Sequence, residues 1–129
     1  MFNRRLILAA AIAFSLSSGP ATFAAETNFT NDAFKSAQKD GKRILVDVWA
    51  AWCPTCKAQS PLLKSELAKP ENQGVVMLRV NFDTQLDVLK AFKVQSQSTL
   101  IMFKGDKEVA RSVGDTTADG IAKLVASAK

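Results

Sequence analysis

The sequence contains no histidine and only two cysteines, Cys53 and Cys56, among its 129 residues. A zinc site needs about four protein ligands, so a single chain cannot supply a cysteine or cysteine–histidine set. Long hydrophobic runs are also missing. The apolar run at 6–16 has about half of the roughly 20 residues that a membrane-spanning helix requires. These absences exclude a structural zinc site in one chain and make a membrane anchor the weaker interpretation.

Clustered charge of one sign is absent as well. Lysine and arginine number 17 against 12 acidic residues, for a net charge of +5, but the basic residues are scattered and do not alternate with aromatic ones. This pattern gives nucleic-acid binding little support. The chain has no repeat or low-complexity stretch, and its content of 47% hydrophobic and 22% charged residues is typical of one globular domain.

The N-terminus has the features of an export signal. Arg4 and Arg5 precede the short apolar run, a Ser-Ser-Gly-Pro break follows it, and small residues then lead to Ala24. We predict a cleavable signal peptide at 1–24 and a mature domain at 25–129, whose net charge falls to +3 because two arginines are lost. Such a leader suggests a bacterial periplasm, where the environment is oxidising and a disulfide can form.

Hydrophobic patterning predicts strands and helices in alternation, followed by a hairpin and a closing helix. The expected elements are a helix over 32–39 capped by Thr30 or Asn31, a strand at Ile44–Trp49, a helix at Cys53–Lys69 bent by Pro61, a strand at Val75–Phe82, a helix capped by Asp83 or Thr84, a hairpin of 99–103 with 107–111, and a helix over 121–128. This order predicts an α/β fold with a central mixed sheet, helices on both faces, and the two buried strands as parallel neighbours.

The cysteine pair has the spacing of a reversible disulfide. Two cysteines three residues apart on the first turn of a helix face the same side, so their Cα atoms lie at a distance that a disulfide can bridge. If Cys53 is the N-cap, Pro54 occupies the first helical position, which proline favours. The helix N-terminus lowers the pKa of a thiol placed there. We therefore expect Cys53 to be an exposed nucleophile and Cys56 to be a covered thiol that resolves the mixed disulfide.

Asp47 is the one acid inside a strand that is otherwise apolar. Burial would raise the pKa of this carboxyl group, which could then accept the proton of Cys56. A position at the strand edge facing water is the simpler alternative. A purely structural role for the cysteines is also open, but a disulfide that spans only two residues constrains the unfolded chain little.

At this point the sequence resembles the thioredoxin family over nearly the whole mature chain. The segment from Ile44 to Lys57, with Trp52-Cys53-Pro54-Thr55-Cys56 at its centre, is similar to the family's strand and active-site turn, and Pro61 matches its helix-kinking proline. The resemblance implies a three-layer thioredoxin-like fold and the activity of a thiol-disulfide oxidoreductase that needs no cofactor. It also implies that Asp47 is the buried proton acceptor, that Arg79 is the basic residue near it, and that Trp52 is a surface ring beside the disulfide.

Two departures from the family pattern concern the substrate side. Pro54-Thr55 replaces the usual Gly-Pro between the cysteines, a dipeptide that tunes the redox potential. Gln97-Ser98-Thr99 stands where the family has a cis-proline before a strand, and without proline we expect a trans bond, because the cis form costs roughly 2.5 to 4 kcal/mol. The backbone there can still pair with an extended substrate, so the candidate substrate-binding residues are Trp52, Pro54, Thr55, Gln97, Ser98 and Thr99.

The leading hypothesis is a monomeric periplasmic reductase of oxidised proteins, supplied with electrons by a membrane thiol transporter of the DsbD or CcdA type. The absence of histidine between the cysteines favours this direction over that of the oxidising relatives of the DsbA type. Three alternatives stay open. They are a disulfide oxidase or isomerase using the same residues, a dimer holding a [2Fe-2S] cluster on two cysteine pairs, and a binding domain with an inert disulfide.

Overall fold

The computed structural model describes residues 26–129, so the predicted signal peptide lies outside the described residues. The elements follow in the order β1 (Thr27–Asn28), α1 (Asn31–Lys39), β2 (Arg43–Trp49), α2 (Pro54–Leu67), a 3₁₀ turn (Pro70–Asn72), β3 (Val76–Asn81), α3 (Leu86–Ala91), β4 (Thr99–Lys104), β5 (Lys107–Val113) and α4 (Ala118–Ala126). The strands form one mixed sheet in the order β1-β3-β2-β4-β5.

The predicted parallel pairing of the two buried strands is confirmed. Strand β2 runs parallel to β3, while β4 and β5 form the expected antiparallel hairpin, with β4 also antiparallel to β2. Strand β1 pairs with β3 over two residues. Strand β1 was not predicted, because two residues are too few to show the alternation on which a strand prediction depends.

Alternation along β2 divides the core into two layers. Ile44, Val46 and Val48 pack with residues of α1 and α3 on one face of the sheet. Leu45 packs on the other face with Leu63 of α2 and with residues of α4. Since successive side chains of a strand point to opposite faces, Asp47 shares the α2 face with Leu45. The helices therefore cover both faces, as the three-layer prediction requires, and Asp47 lies on the face that α2 covers.

The helix N-termini are defined by local hydrogen bonds. Thr30 caps α1, its hydroxyl accepting a hydrogen bond from the Ala33 N–H at 3.0 Å, which confirms one of the two predicted caps. The predicted cap of α3 is wrong: the helix begins at Leu86, after Gln85, with no side-chain cap. Residues 82–84 form a turn before the helix, and the Asp83 carboxylate accepts a hydrogen bond from the Trp52 indole.

No helix within residues 26–129 is long and apolar enough to cross a membrane.

Candidate active site at the N-terminus of α2

The two cysteines form a disulfide at the N-terminus of α2. Their Cα atoms are 5.3 Å apart, within the range that this bond requires. Cys53 is the N-cap, as expected, and its Sγ accepts a hydrogen bond from the Cys56 N–H at 3.0 Å. Pro54 follows at the start of the helix, where its missing N–H leaves no intrahelical hydrogen bond unmade.

The expected exposure of Cys53 is wrong. The residue is 0% exposed, while Cys56 is 5% exposed and therefore covered as predicted. Both cysteines belong to a small buried cluster with Ala50, against which Trp49 and Phe82 pack. Cys53 itself is therefore enclosed, although the next residue, Pro54, is exposed at the first position of the helix.

The Ser98 side chain lies directly against the disulfide. Its hydroxyl oxygen is 3.2 Å from Cys53 Sγ and 3.4 Å from Cys56 Sγ. Ser98 is itself only 3% exposed, so the contact is shielded from water. The position that the sequence singled out for its missing proline is therefore occupied by a polar group in contact with both sulfur atoms.

Three hydrogen bonds hold the backbone of Ser98 in place. Its N–H donates to the Val48 carbonyl at 2.8 Å, and its carbonyl accepts from the Gly114 N–H at 3.0 Å and from Gln59 Nε2 at 3.3 Å. All peptide bonds among residues 26–129 are trans, which confirms the prediction for the Gln97–Ser98 bond. Ser98 has a φ of +61°, in the left-handed region that residues other than glycine and asparagine seldom adopt.

Asp47 is buried beneath the active-site helix and is paired with Arg79. The two residues are direct register partners across β2 and β3. Arg79 Nε and Nη2 lie 3.0 and 2.9 Å from Asp47 Oδ2, and Arg79 Nη1 lies 3.0 Å from Glu26 Oε2. Because Asp47 is only 2% exposed, the alternative of a carboxylate facing water does not apply.

Burial raises the pKa of Asp47 above its ordinary value of 3.8, with the attraction and hydrogen bond of the Arg79 guanidinium acting in the opposite direction. The desolvation of the carboxylate is the larger effect. A carboxyl group in this environment takes up a proton more readily than one in water. This is the property that acceptance of a thiol proton requires.

A hydrogen-bonded path joins this ion pair to the active-site helix. Arg79 Nη2 donates to Ser60 Oγ at 3.4 Å, and the Ser60 hydroxyl donates to the Cys56 carbonyl at 3.1 Å. The guanidinium also lies over the Trp49 ring, with Arg79 Cζ 5.0 Å from the centroid. Arg79 therefore connects Asp47 to the turn of helix that bears Cys56.

The other predicted site residues differ in exposure. Trp52 is 56% exposed, and its indole N–H donates to the Asp83 carboxylate at 3.0 to 3.1 Å. Pro54 is exposed, and Thr55 and Gln97 are half-buried, so these side chains border the surface beside the disulfide. Thr99 is buried, with its hydroxyl donating to the Ser96 carbonyl at 2.7 Å, so its side chain is not presented to a substrate.

Two residues of this site, Gln59 and Ser60, were not predicted from the sequence. Gln59 is 1% exposed, and its Nε2 donates to the carbonyls of Ser98 and Asp115, joining α2 to the segments before β4 and after β5. A signal was present: Gln59 lies three residues after Cys56 and four before Leu63, on the apolar side of the predicted helix. A polar residue on that side needs buried partners.

A disulfide at a helix N-terminus, on a mixed sheet with a buried carboxyl group under the helix, defines a thiol-disulfide oxidoreductase. The family model described as Thioredoxin matches residues 25–127. The chain is 34% identical over 90 residues to a thioredoxin of Alicyclobacillus acidocaldarius, covering 70% of this chain and 85% of that protein. It is 40% identical over 82 residues to a thioredoxin of Chlamydia muridarum, covering 64% and 78%. The chain belongs to the thioredoxin family.

Solved structures show the same fold. The crystal structure of Trxlp from Edwardsiella tarda is similar with a TM-score of 0.76 and 39% sequence identity, covering 78% of this chain and 98% of that one. Thioredoxin NaTrxh from Nicotiana alata has a TM-score of 0.67 and 30% identity, covering 78% and 89%. As a member of this family, the chain is a thiol-disulfide oxidoreductase; thioredoxins act on oxidised protein substrates with a reductant partner.

Proposed function

We propose that this protein is a periplasmic thioredoxin-like reductase, which reduces disulfides of exported proteins and receives electrons from a membrane thiol transporter of the DsbD or CcdA type. The observation that supports the exchange chemistry best is the disulfide at the N-terminus of α2, with a buried carboxyl group of raised pKa on the same side of the sheet. The sequence of the leader and the absence of histidine support the compartment and the direction.

In the first step the Cys53 thiolate attacks one sulfur of a substrate disulfide. A bond forms between Cys53 Sγ and that sulfur, the substrate S–S bond breaks, and the other substrate sulfur leaves as a thiolate. The positive end of the α2 macrodipole and the Cys56 N–H, 3.0 Å from Cys53 Sγ, stabilise the attacking thiolate. The product of this step is a mixed disulfide on Cys53.

In the second step Cys56 gives its proton to the Asp47 carboxylate and attacks Cys53 Sγ. The mixed disulfide breaks, the second substrate sulfur leaves as a thiolate, and the Cys53–Cys56 disulfide forms. Two electrons have passed from the enzyme to the substrate. Because an oxidising compartment supplies no reductant of its own, an electron donor in the membrane must reopen the disulfide after each turnover.

The test is the redox state of the cysteine pair in the living cell. Cells producing the full chain are quenched with acid and labelled with a maleimide that adds mass to each free thiol. We expect the protein in the periplasmic fraction, with its N-terminus after residue 24 or 25, and mostly with two free thiols. A strain that lacks the membrane transporter should accumulate the disulfide form.

The Cys56→Ser variant supplies the companion measurement, since it cannot resolve mixed disulfides. We expect it to retain exported proteins on Cys53, and these complexes should be absent from the double variant Cys53→Ser/Cys56→Ser. A mostly oxidised pair that is independent of the transporter would overturn the reductase proposal in favour of an oxidase or isomerase. Retention of the whole chain in the cytoplasm would overturn the proposed compartment.

A further inference from the structure

The Ser98 hydroxyl is the one side-chain hydroxyl in contact with both sulfur atoms among the described residues, at 3.2 and 3.4 Å. A hydroxyl has one hydrogen to donate and two lone pairs, whereas the sulfurs of a disulfide have no hydrogen. In the oxidised protein the hydroxyl is therefore the only possible donor in these contacts. The hydroxyl is therefore positioned to donate to either sulfur before the reaction begins.

Charge changes the strength of this contact. A disulfide sulfur is a weak acceptor, but a thiolate is a full anion, and hydrogen bonds to ionised groups are about twice as strong as neutral ones. The contact is also shielded, because Ser98 is 3% exposed and Cys53 is 0% exposed. A donor held in such a place stabilises the reduced thiolate form of Cys53 more than it stabilises the disulfide.

We propose that Ser98 is a further catalytic residue, whose hydroxyl donates to the Cys53 thiolate and thereby increases both its reactivity and the reduction potential of the pair. This proposal rests on the exchange chemistry of the proposed function, but not on its compartment or its direction. The Cys53 thiolate then has two donors, the Ser98 hydroxyl and the Cys56 N–H.

The Ser98 hydroxyl stabilises a thiolate in each of the two steps of the exchange and keeps its own proton. Before the first attack it donates to the Cys53 thiolate. When Cys53 has formed the mixed disulfide and Cys56 has lost its proton, the negative charge lies on Cys56 Sγ, which is 3.4 Å from the same oxygen. Rotation about one side-chain bond redirects the hydrogen from one sulfur to the other. The electrons and protons of the exchange balance as before, since Ser98 only donates a hydrogen bond.

The backbone of Ser98 provides the second argument. A φ of +61° is unfavourable for serine and is tolerated well by glycine, so the conformation alone would favour glycine at this position. The main-chain hydrogen bonds of Ser98 to Val48 and Gly114 would also be available to a glycine. What glycine cannot supply is the hydroxyl, and this is the group that reaches the sulfur atoms.

The experiment uses two variants that lack the hydroxyl but differ in backbone preference, Ser98→Ala and Ser98→Gly. Ser96→Ala is the matched control, because the Ser96 hydroxyl donates to the Gln97 carbonyl at 2.9 Å and therefore serves the same loop. Alkylation of Cys53 by iodoacetamide is measured against pH in a Cys56→Ser background. The equilibrium with reduced and oxidised glutathione is measured with both cysteines present, and thermal unfolding checks the fold of each variant.

We expect alkylation at pH 6 to slow by about threefold in both Ser98 variants, with the pH midpoint displaced upward, because a roughly tenfold loss of thiolate is partly offset by the higher nucleophilicity of the less acidic thiol. The glutathione equilibrium should shift by about tenfold toward the disulfide, which corresponds to about 30 mV. Ser96→Ala should match the parent protein in both assays.

Unchanged alkylation and equilibrium in both folded Ser98 variants would overturn the proposal. An effect in Ser98→Ala that is absent in Ser98→Gly would also overturn it, since backbone strain and not the hydroxyl would then be responsible. These assays use purified protein and small thiol reagents, so they stay independent of export and of any membrane donor. A failure of the proposed function in cells would leave their outcome intact.

Discussion

The two faces of the central sheet differ in the kinds of side chain that pack against them. On the side of α1 and α3, four phenylalanine rings form a cluster with centroids 5.1 to 5.7 Å apart: Phe29, Phe34, Phe92 and Phe103. On the side of α2 and α4, apolar residues share the interior with buried polar groups, among them Asp47, Gln59 and Glu66. The reactive disulfide lies at the end of the second side.

Because of this difference, one face contributes mainly to the stability of the fold and the other positions the groups that take part in the reaction. Apolar packing on the phenylalanine side is non-directional, so it stabilises the fold without fixing the orientation of any polar atom. Hydrogen bonds and ion pairs of the buried polar groups on the other side fix a geometry, as Arg79 does for Asp47 and Gln59 Nε2 does for the Ser98 carbonyl. Substitutions on the two faces should therefore change different measured quantities.

The largest expected effect is the loss of turnover in Cys53→Ser, since a serine hydroxyl cannot form a disulfide. Reduction of a disulfide peptide should fall to the uncatalysed rate, as measured with a coupled reductant. The free energy of unfolding of the reduced protein should change little, because the residue's helix-capping position accepts serine well. Measurable turnover in this variant would show that Cys53 is not the essential nucleophile.

Asp47→Asn is expected to lower the rate of exchange less than Cys53→Ser does, and to increase the stability of the protein near neutral pH. Loss of the proton acceptor should slow resolution of the mixed disulfide by roughly 10- to 100-fold. Glu66→Gln is the matched control, since Glu66 is another buried carboxylate on the same side, hydrogen-bonded to Asn72 at 2.9 Å and away from the cysteines. The control should exchange at the parent rate, as followed by stopped-flow tryptophan fluorescence.

The pH dependence of stability follows from the raised pKa of Asp47. The folded state holds this proton more tightly than the unfolded chain, so the stability from this group is complete below the ordinary value of 3.8 and is lost as pH rises through the folded pKa. Asp47→Asn should be more stable than the parent near neutral pH, and the difference should vanish in acid. Urea unfolding across pH checks this. A less stable variant at pH 7 would mean that the Arg79 ion pair outweighs the cost of burial.

The smallest effect on chemistry is expected on the phenylalanine face. Phe103→Leu removes ring contacts with Phe34 and Phe92 and should cost about 1 to 2 kcal/mol of unfolding free energy. Exchange by the folded protein should stay within about twofold of the parent rate, because the ring lies on the face opposite Asp47. A large loss of exchange activity in a fully folded Phe103→Leu variant would show that the two faces are coupled.

Local sequence patterns predicted the strands, turns and helix caps that depend on residues close together in the sequence. The buried strands at Ile44–Trp49 and Val75–Phe82, the hairpin, the Thr30 cap and the Cys53 N-cap follow from periodicity and from residues within one helical turn. The predicted start of α3 was wrong, since residues 82–84 form a turn and the helix begins after Gln85, whose side chain donates to the Phe29 carbonyl 56 positions away. The two-residue strand β1 was missed because it is stabilised by pairing with β3 and not by a pattern of its own.

Spacing within single elements predicted the disulfide, the helix on which it lies and the strand position of Asp47, and the family resemblance placed Arg79 near Asp47, as the structure confirms. The enclosure of Cys53 and the contact of Ser98 with both sulfurs emerged from the folded structure alone. Ser98 and Cys53 are 45 positions apart and meet because β4 pairs with β2. No local periodicity encodes such a contact, which arises from strand pairing across the sheet.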